Sequence, residues 1–324
     1  MIGAKYVVRT ALAAALGMGL GLSAAYAETK IGIAQFGKHP QLDETVTAFK
    51  AELVKLGIAD AVFDELQVNF DATLIPQMVT KLASANPKLI LAVTTPVAQG
   101  ARQIVGNTGT PVVFAAVTDP VVAKLTPSWE AGDKNMTGAS DLQDVNSVVK
   151  FIKQLLPDAK RLAYLYNPGE DNDVAVLKLV KEAAAAQGLT VVEVGLDNTN
   201  DIPMRVSSLA GKADVIYVPA SNLVQPAVPA VAAAALSINI PIVNASAQAV
   251  RDGLVAAAFE VSYTKVGQNA AKLAAEIIAG KSAASLAPIK PSYADHAALI
   301  NEKVLEKTGH KAPDSLKDCG CFVK

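Results

Sequence analysis

The sequence predicts an α/β chain of two lobes, each a parallel sheet flanked by helices. Three observations predict it. Short runs rich in Val, Ile and Leu alternate with stretches of helical periodicity along the chain. The alternation restarts after Asn135-Met-Thr-Gly-Ala-Ser140, so two half-chains share one rhythm. In each half a strand opens directly into a polar loop, Ala34 to His39 in the first and Tyr166 to Asn172 in the second.

The first strand is Lys30 to Gln35. A helix follows from Pro40, with Leu42, Val46, Phe49, Leu53 and Leu56 on one face, Pro in its first turn and Gly57 past its end. Leu66 to Phe70 alternates as a strand, and Ile75, Met78, Val79 and Leu82 mark a helix. Leu89 to Val93 is a buried strand, a helix starts at Pro96, and Pro111 to Ala116 is a strand. In the second half, helices are expected over 146–156, 173–187, 202–209, 226–236, 247–252 and 263–279. Strands are expected over 161–166, 191–196, 213–218, 240–244 and 254–259, with a short strand and a terminal helix after Pro288. The chain crosses between lobes near Ser140 and near Glu260.

Residues 1–27 read as a secretory signal peptide. Lys5 and Arg9 form a positive start, Ala11 to Leu22 is apolar, and Ala25-Tyr26-Ala27 is a small-x-small cleavage site before Glu28. The apolar run is shorter than the roughly 20 residues a permanent span needs. Removing 27 of 324 residues leaves 297, to be placed in the periplasm. Half of the residues are hydrophobic (51%) and 18% are charged, which supports a sizeable core. Lys and Arg (29) balance Asp and Glu (30), so no basic field exists to hold nucleic acid or an anionic membrane. Cysteine occurs only as Cys319 and Cys321, so the body carries no disulfide. That tail pair lacks further metal ligands and reads as inert or oxidised.

Polar clusters recur at the expected carboxyl ends of strands, where ligands of open α/β sheets bind and helix N-termini point. They nominate Gln35, Thr94, Thr95, Asp119, Asn167, Glu170, Ser221, Asn222 and Glu260 as ligand-binding residues. Taken singly, each fits a helix cap or turn; Thr95 before Pro96 and Asp119 before Pro120 are cap positions in form. Catalysis has little support. His39, His296 and His310 are the only histidines, and no nucleophile adjoins the His39–Asp43 pair that a hydrolase reading would use. No cofactor or metal is expected.

Read together, these stretches resemble the periplasmic ABC-transporter substrate-binding family that includes tryptophan- and tyrosine-binding proteins. The matching residues are Gly32 to Gln35 with His39-Pro-Gln-Leu-Asp43, Val93 to Gln99, Pro111 to Pro120, Asn135 to Gly138, Leu156-Pro157, Tyr166 to Glu170 and Val218-Pro219. The resemblance implies a type I periplasmic binding fold with three hinge crossings. Lobe 1 would be 28–140 plus about 261–285, and lobe 2 would be 141–260 plus about 286–324. It implies a monomer that captures a small polar, amino-acid-like or nitrogen-containing molecule and delivers it to ABC permease transmembrane subunits. A sensor subunit for a receptor or kinase is the alternative; a secreted α/β hydrolase is the third reading.

The chain departs from the family pattern at two places. It has Glu170-Asp-Asn-Asp173 where Glu-Ala-Asn-Ser is usual, and Ala220-Ser-Asn-Leu223 where Thr-Asp-Asn-Thr is usual. The second change removes an acidic partner for an ammonium at position 221, which Glu170 or Glu260 would replace. The expected ligand is zwitterionic or cationic with at least one N–H donor. Its ammonium would meet Asp119, Glu170 or Glu260, its carboxylate the amides around Thr95 and Pro96, and stacking on Phe36 or Tyr263 would be minor.

Overall fold

The computed structural model describes residues 28–106 and 108–323, and residues 1–27, where the signal peptide is expected, lie outside them. The first half supplies β1 (Thr29–Gln35), α1 (Pro40–Lys55), β2 (Ala61–Gln67), α2 (Ile75–Ser84), β3 (Leu89–Val93), α3 (Thr95–Val105), β4 (Val112–Ala115) and β5 (Met136–Ala139). The second half begins with α4 (Val145–Leu155), β6 (Arg161–Tyr166), α5 (Asp171–Ala186), β7 (Thr190–Gly195), α6 (Ile202–Ser207) and β8 (Val215–Val218). It continues with α7 (Val228–Ser237), β9 (Ile242–Asn244), α8 (Ala247–Arg251), β10 (Ala257–Val261), α9 (Tyr263–Ile278), β11 (His296–Ile300) and α10 (Glu302–Lys307).

The first sheet has the order β2-β1-β3-β4-β5 with every pairing parallel. The second runs β11-β10-β9-β8-β6-β7 and is parallel except for the β10–β11 pair. Helices cover both faces, so a central strand such as β3 is buried at all five residues and reads as an unbroken apolar run. In each sheet the first strand lies between the next two, and its two neighbours lead the chain in opposite directions. That order makes a topological switch point at β1/β3 and at β6/β8, where loops diverge and leave a crevice.

Helix α9 follows the second sheet's β10 yet packs against α1 on the first sheet. Val266, Ala270 and Leu273 join Ile31, Phe49 and Leu53 in one core. Gly267 makes this close approach possible, because a Cβ there would collide with the Thr45 carbonyl oxygen. The chain then returns along β5, where Ile289 N–H donates to the Gly138 carbonyl and Ser140 N–H to the Ile289 carbonyl, before entering β11. The lobes are thus joined by three crossings, near 140, 261 and 290.

Three elements differ from the sequence expectation. Strand β2 occupies 61–67 rather than 66–70, because Asn69 and Phe70 turn the chain with φ of 48° and 63°. The expected strand at 254–259 sits at 257–261, after the Gly253 turn. Strand β5 was not foreseen. Its four residues contain Gly138, and a side chain there would meet Phe114. Cys319 and Cys321 form a disulfide with Cα atoms 5.2 Å apart. The Cys321 carbonyl accepts from Ile300 N–H at 2.7 Å, tying the tail to β11.

Candidate ligand-binding cleft

The loops after β1, β3, β6 and β8, the strands flanking the two switch points, converge on one cavity between the sheets. It has a volume of about 30 Å³ and opens beside an outer chamber of about 460 Å³, sharing Phe70, Asn172, Asn222 and Pro226 with it. The inner cavity is lined by His39, Gln41, Thr94, Thr95, Thr118 and Asp141 on one side and by Asn172, Ser221, Asn222 and Gln225 on the other. The outer chamber has an apolar side of Phe36, Phe70, Pro96, Leu223 and Pro226 facing a polar one that includes Gln99, Asn167, Glu170 and Asp171.

The first wall is strained. Thr94, between β3 and α3, has φ 92° and ψ 157°, a region nearly reserved for glycine, and Ala116 after β4 has φ 53°. Thr94 N–H donates to the Ala115 carbonyl at 3.0 Å, which fixes the turn. The Thr94 hydroxyl is buried without a hydrogen-bond partner, at the N-terminus of the 11-residue α3. Strained backbone and an unpaired buried hydroxyl cost about 1–3 kcal/mol each in a folded protein, and such costs collect at sites that act on something else.

Asp141 lies where the first crossing leaves β5 and is fully buried. Thr118 Oγ1 donates to one carboxylate oxygen at 3.0 Å and the Tyr263 hydroxyl to the other at 2.9 Å. Ser140 Oγ donates to the Thr118 carbonyl at 2.7 Å. One carboxylate therefore fastens the loop after β4, the first crossing and the start of α9 after the second crossing. Burial pushes its carboxyl above the usual aspartate value, opposed by the two hydroxyl bonds.

The second wall is a network built around two carboxylates. Glu170 Oε2 accepts from Asn222 N–H (3.1 Å), Asn222 Nδ2 (2.7 Å) and Asn172 Nδ2 (3.3 Å); Oε1 accepts from Leu223 N–H (3.1 Å) and Asn167 Nδ2 (3.2 Å). Asp173 accepts from Asn167 N–H at 2.7 Å and Asn172 Nδ2 at 3.0 Å. Its carboxyl is raised well above the usual value by burial and then by the nearby Glu170 charge. Because Asn172 Nδ2 faces two carboxylates, its Oδ1 is left without a partner, buried at the cavity.

Among the described residues, two glutamines of the first lobe bond directly across the cleft. Gln41 Nε2 donates to the Ala245 carbonyl at 3.0 Å and to Glu260 Oε2 at 3.3 Å. At the mouth, Gln99 Nε2 donates to Asp171 Oδ2 at 2.8 Å.

Of the residues nominated from sequence, Thr94, Thr95, Ser221 and Asn222 line the inner cavity, and Asn167 and Glu170 line the outer chamber. Gln35 instead donates to the Gly37 carbonyl and to Asp43 within its own lobe. Asp119 caps the next turn by accepting from Val121 and Val122 N–H at 2.9 and 3.0 Å. Glu260 accepts from Ala247 N–H at 2.7 Å as well as from Gln41. His39 caps α1 by accepting from Gln41 N–H, and burial lowers its imidazole below the usual value. Asp43 meanwhile bonds Gln35 and Lys38. Tyr263, where only minor stacking was expected, is buried and spends its hydroxyl on Asp141.

The lining residues that sequence reading did not select are Gln41, Thr118, Asp141, Asn172, Gln225 and Tyr263. Asn172 stood in a recognised polar loop; Asp141 sits in a crossing with no pattern to mark it. No group of His, Cys, Asp and Glu able to hold a metal ion occurs among the described residues.

Residues 30–320 match the family described as ABC transporter substrate binding protein. A tyrosine-binding protein of Clostridioides difficile is 32% identical over 284 residues, covering 86% of this chain and 80% of that protein. The ABC domain from Streptococcus pneumoniae solved in complex with L-Trp is 28% identical, with a TM-score of 0.86 over 92% of this chain and all of that one. The ligand-free, open structure of a substrate binding protein with adhesive properties from Clostridium difficile is 32% identical, with a TM-score of 0.69 over 91% of this chain and 99% of that one. The shape of this chain is nearer to the L-Trp complex than to the open form, in keeping with the direct bonds across its cleft.

Proposed function

Because the chain belongs to the ABC transporter substrate-binding protein family, a family of extracytoplasmic proteins that hand small molecules to ABC permeases, we propose that its own cargo is a zwitterionic amino acid. The observation that carries this reading is the pair of buried, unpartnered polar atoms, Thr94 Oγ1 and Asn172 Oδ1, facing one cavity from opposite lobes. Buried polar atoms are rarely left unpaired without a role. A ligand carboxylate is best received at the start of α3, by backbone N–H groups and the Thr94 hydroxyl, with the helix dipole adding attraction. The side chain extends into the outer chamber between Phe70 and Pro226. The tyrosine- and tryptophan-binding relatives make aromatic side chains the first candidates.

On this reading lobe 1 comprises 28–140 plus about 261–285, and lobe 2 comprises 141–260 plus about 286–324. The protein works in the periplasm as a monomer, without catalysis. The site residues are Thr94, Thr95, Asn167, Glu170, Ser221 and Asn222 from the sequence set, with Gln41, Asp141 and Asn172 added; Gln35, Asp119 and Glu260 brace the walls. Capture is favoured over hydrolysis because the His39 ring serves as a helix cap.

A thermal-shift screen of the protein from Glu28 onward against the twenty amino acids, simple sugars and dicarboxylates tests it. A ligand at 100 times its Kd adds about 2.7 kcal/mol of stability, a plain shift in melting temperature. A response to one or a few amino acids is expected; a response confined to sugars or dicarboxylates overturns the reading.

A further inference from the structure

Asp141 is a buried carboxylate without a cation. Its two bonds come from neutral hydroxyls, Thr118 and Tyr263, and among the described residues no Lys or Arg lines the cavity it faces. Ions taken out of water are paired or neutralised, because uncompensated burial costs several kcal/mol. A carboxylate offers about four acceptor positions, and two hydroxyls leave room for another donor. Across the same cavity, Asn172 presents an amide oxygen whose partners are all absent, and its orientation is enforced by Asp173 and Glu170 on the nitrogen side. Two acceptors, one of them charged, thus converge on one space, Asp141 from the first crossing, where Thr118 and Tyr263 of the first lobe hold it, and Asn172 from the second lobe.

We propose that a primary ammonium group of the ligand is received jointly by Asp141 and Asn172, supplying the missing cation and bonding the second lobe to the crossing that Thr118 and Tyr263 of the first lobe hold in place. This deepens the amino-acid reading above and rests on it. The single charged group then does two things. It selects the ligand, because a deaminated analogue leaves Asp141 unpaired. It also favours closure, because Asp141 belongs to the crossing that joins the lobes while Asn172 starts α5 of the second lobe. The departure at Ser221 fits this arrangement, since an acidic partner for the ammonium exists elsewhere in the cavity.

Calorimetry on the intact mature chain tests the proposal with L-tryptophan, L-tyrosine, their deaminated analogues indole-3-propionate and 3-(4-hydroxyphenyl)propionate, and their decarboxylated analogues tryptamine and tyramine. Binding of an amino acid at least 100-fold tighter than its deaminated analogue is expected. Asp141→Asn should bring the amino acid down to the affinity of that analogue, and Asn172→Ala should weaken it about 10-fold. The ligand comparison is made on the unaltered protein, so it stands even if a variant folds poorly. If the deaminated analogue binds within threefold of the amino acid, the ammonium site is overturned while amino-acid capture survives. If no amino acid binds but tyramine or tryptamine does, and Asp141→Asn abolishes it, the ammonium site survives and the amino-acid reading falls. Absence of binding by every amine and amino acid overturns both.

Discussion

The two walls of the cleft are built on opposite principles. The first-lobe wall holds Thr94, Ala116 and Phe70 at positive φ and leaves a hydroxyl unpaired. The second-lobe wall gathers five donors onto Glu170 and two onto Asp173, so its carboxylates are spent on their own loops. One wall carries backbone strain; the other is rigid because its charges are satisfied internally; and each leaves one polar atom unpaired at the cavity, Thr94 Oγ1 or Asn172 Oδ1. Substitutions on the two walls should therefore move stability in opposite directions while both weaken binding.

The largest effect is expected at Glu170. Glu170→Ala strips partners from Asn167, Asn222 and Leu223 in a site only 9% exposed. Leaving several buried donors unpaired should lower unfolding stability by about 3 kcal/mol, measured in urea. Ligand affinity should fall with it, since Asn222 and Ser221 lose their position. A loss under about 1 kcal/mol would show that water replaces the carboxylate and that the wall is not rigid for the stated reason.

The reverse is expected at Thr94. A φ of 92° with a ψ of 157° suits glycine alone, and Thr pays for it with about 1–3 kcal/mol of strain. Thr94→Gly relieves that strain, less about 0.5–1 kcal/mol for the freer unfolded chain. A net gain near 1 kcal/mol is expected together with weaker binding, because the hydroxyl at the start of α3 is gone. Stabilisation with unchanged affinity would separate the strain from the site. A smaller effect is expected at Gln41. Gln41→Ala removes both bonds to the second lobe on that side, so X-ray scattering of the ligand-free protein should show a larger radius of gyration and affinity should drop several-fold. An unchanged profile would mean that the Gln99–Asp171 contact alone holds the cleft.

This contrast also shows what could be read from sequence. The parallel α/β order was legible because fully buried strands such as Leu89–Val93 are continuous apolar runs and helices α1, α2 and α3 open with proline. Strand β5 was not, since Met136-Thr-Gly-Ala139 carries no strand signal and pairs only because Gly138 can lie against Phe114. The strand-end loops were legible as polar clusters, which brought Thr94, Thr95, Ser221 and Asn222 to the cavity. Composition could not distinguish a carboxylate that caps a helix, as Asp119 does, from one that faces the ligand. Asp141 was hidden for a topological reason: its partners Thr118 and Tyr263 lie 23 and 122 residues away, and only the hinge crossings bring them together.

The last prediction concerns pH, where buried and exposed aspartates act in opposite windows. Asp173 and Asp141 hold their protons more tightly folded than unfolded, because burial disfavours their charge. The folded state then binds more protons between their raised values and the ordinary 3.8, so these groups increase stability as the pH falls through that interval. Asp214 is the counterpart. Its pair with Arg161, at 2.5 Å, lowers its carboxyl to about 2, so its contribution is present above about pH 4 and is lost between about 4 and 2. Solvent around that pair keeps its contribution small. Urea unfolding from pH 8 to pH 3 should therefore show a shallow maximum on the acid side of neutrality rather than a steady decline. Asp173→Asn should flatten the rise, and Arg161→Gln should soften the fall below pH 4. Ligand affinity should run the other way, weakening as acid protonates Asp141 and removes the charge that the ammonium needs. A maximum in stability that persists unchanged in Asp173→Asn would assign the rise to other groups and leave the second wall's charges without a thermodynamic signature.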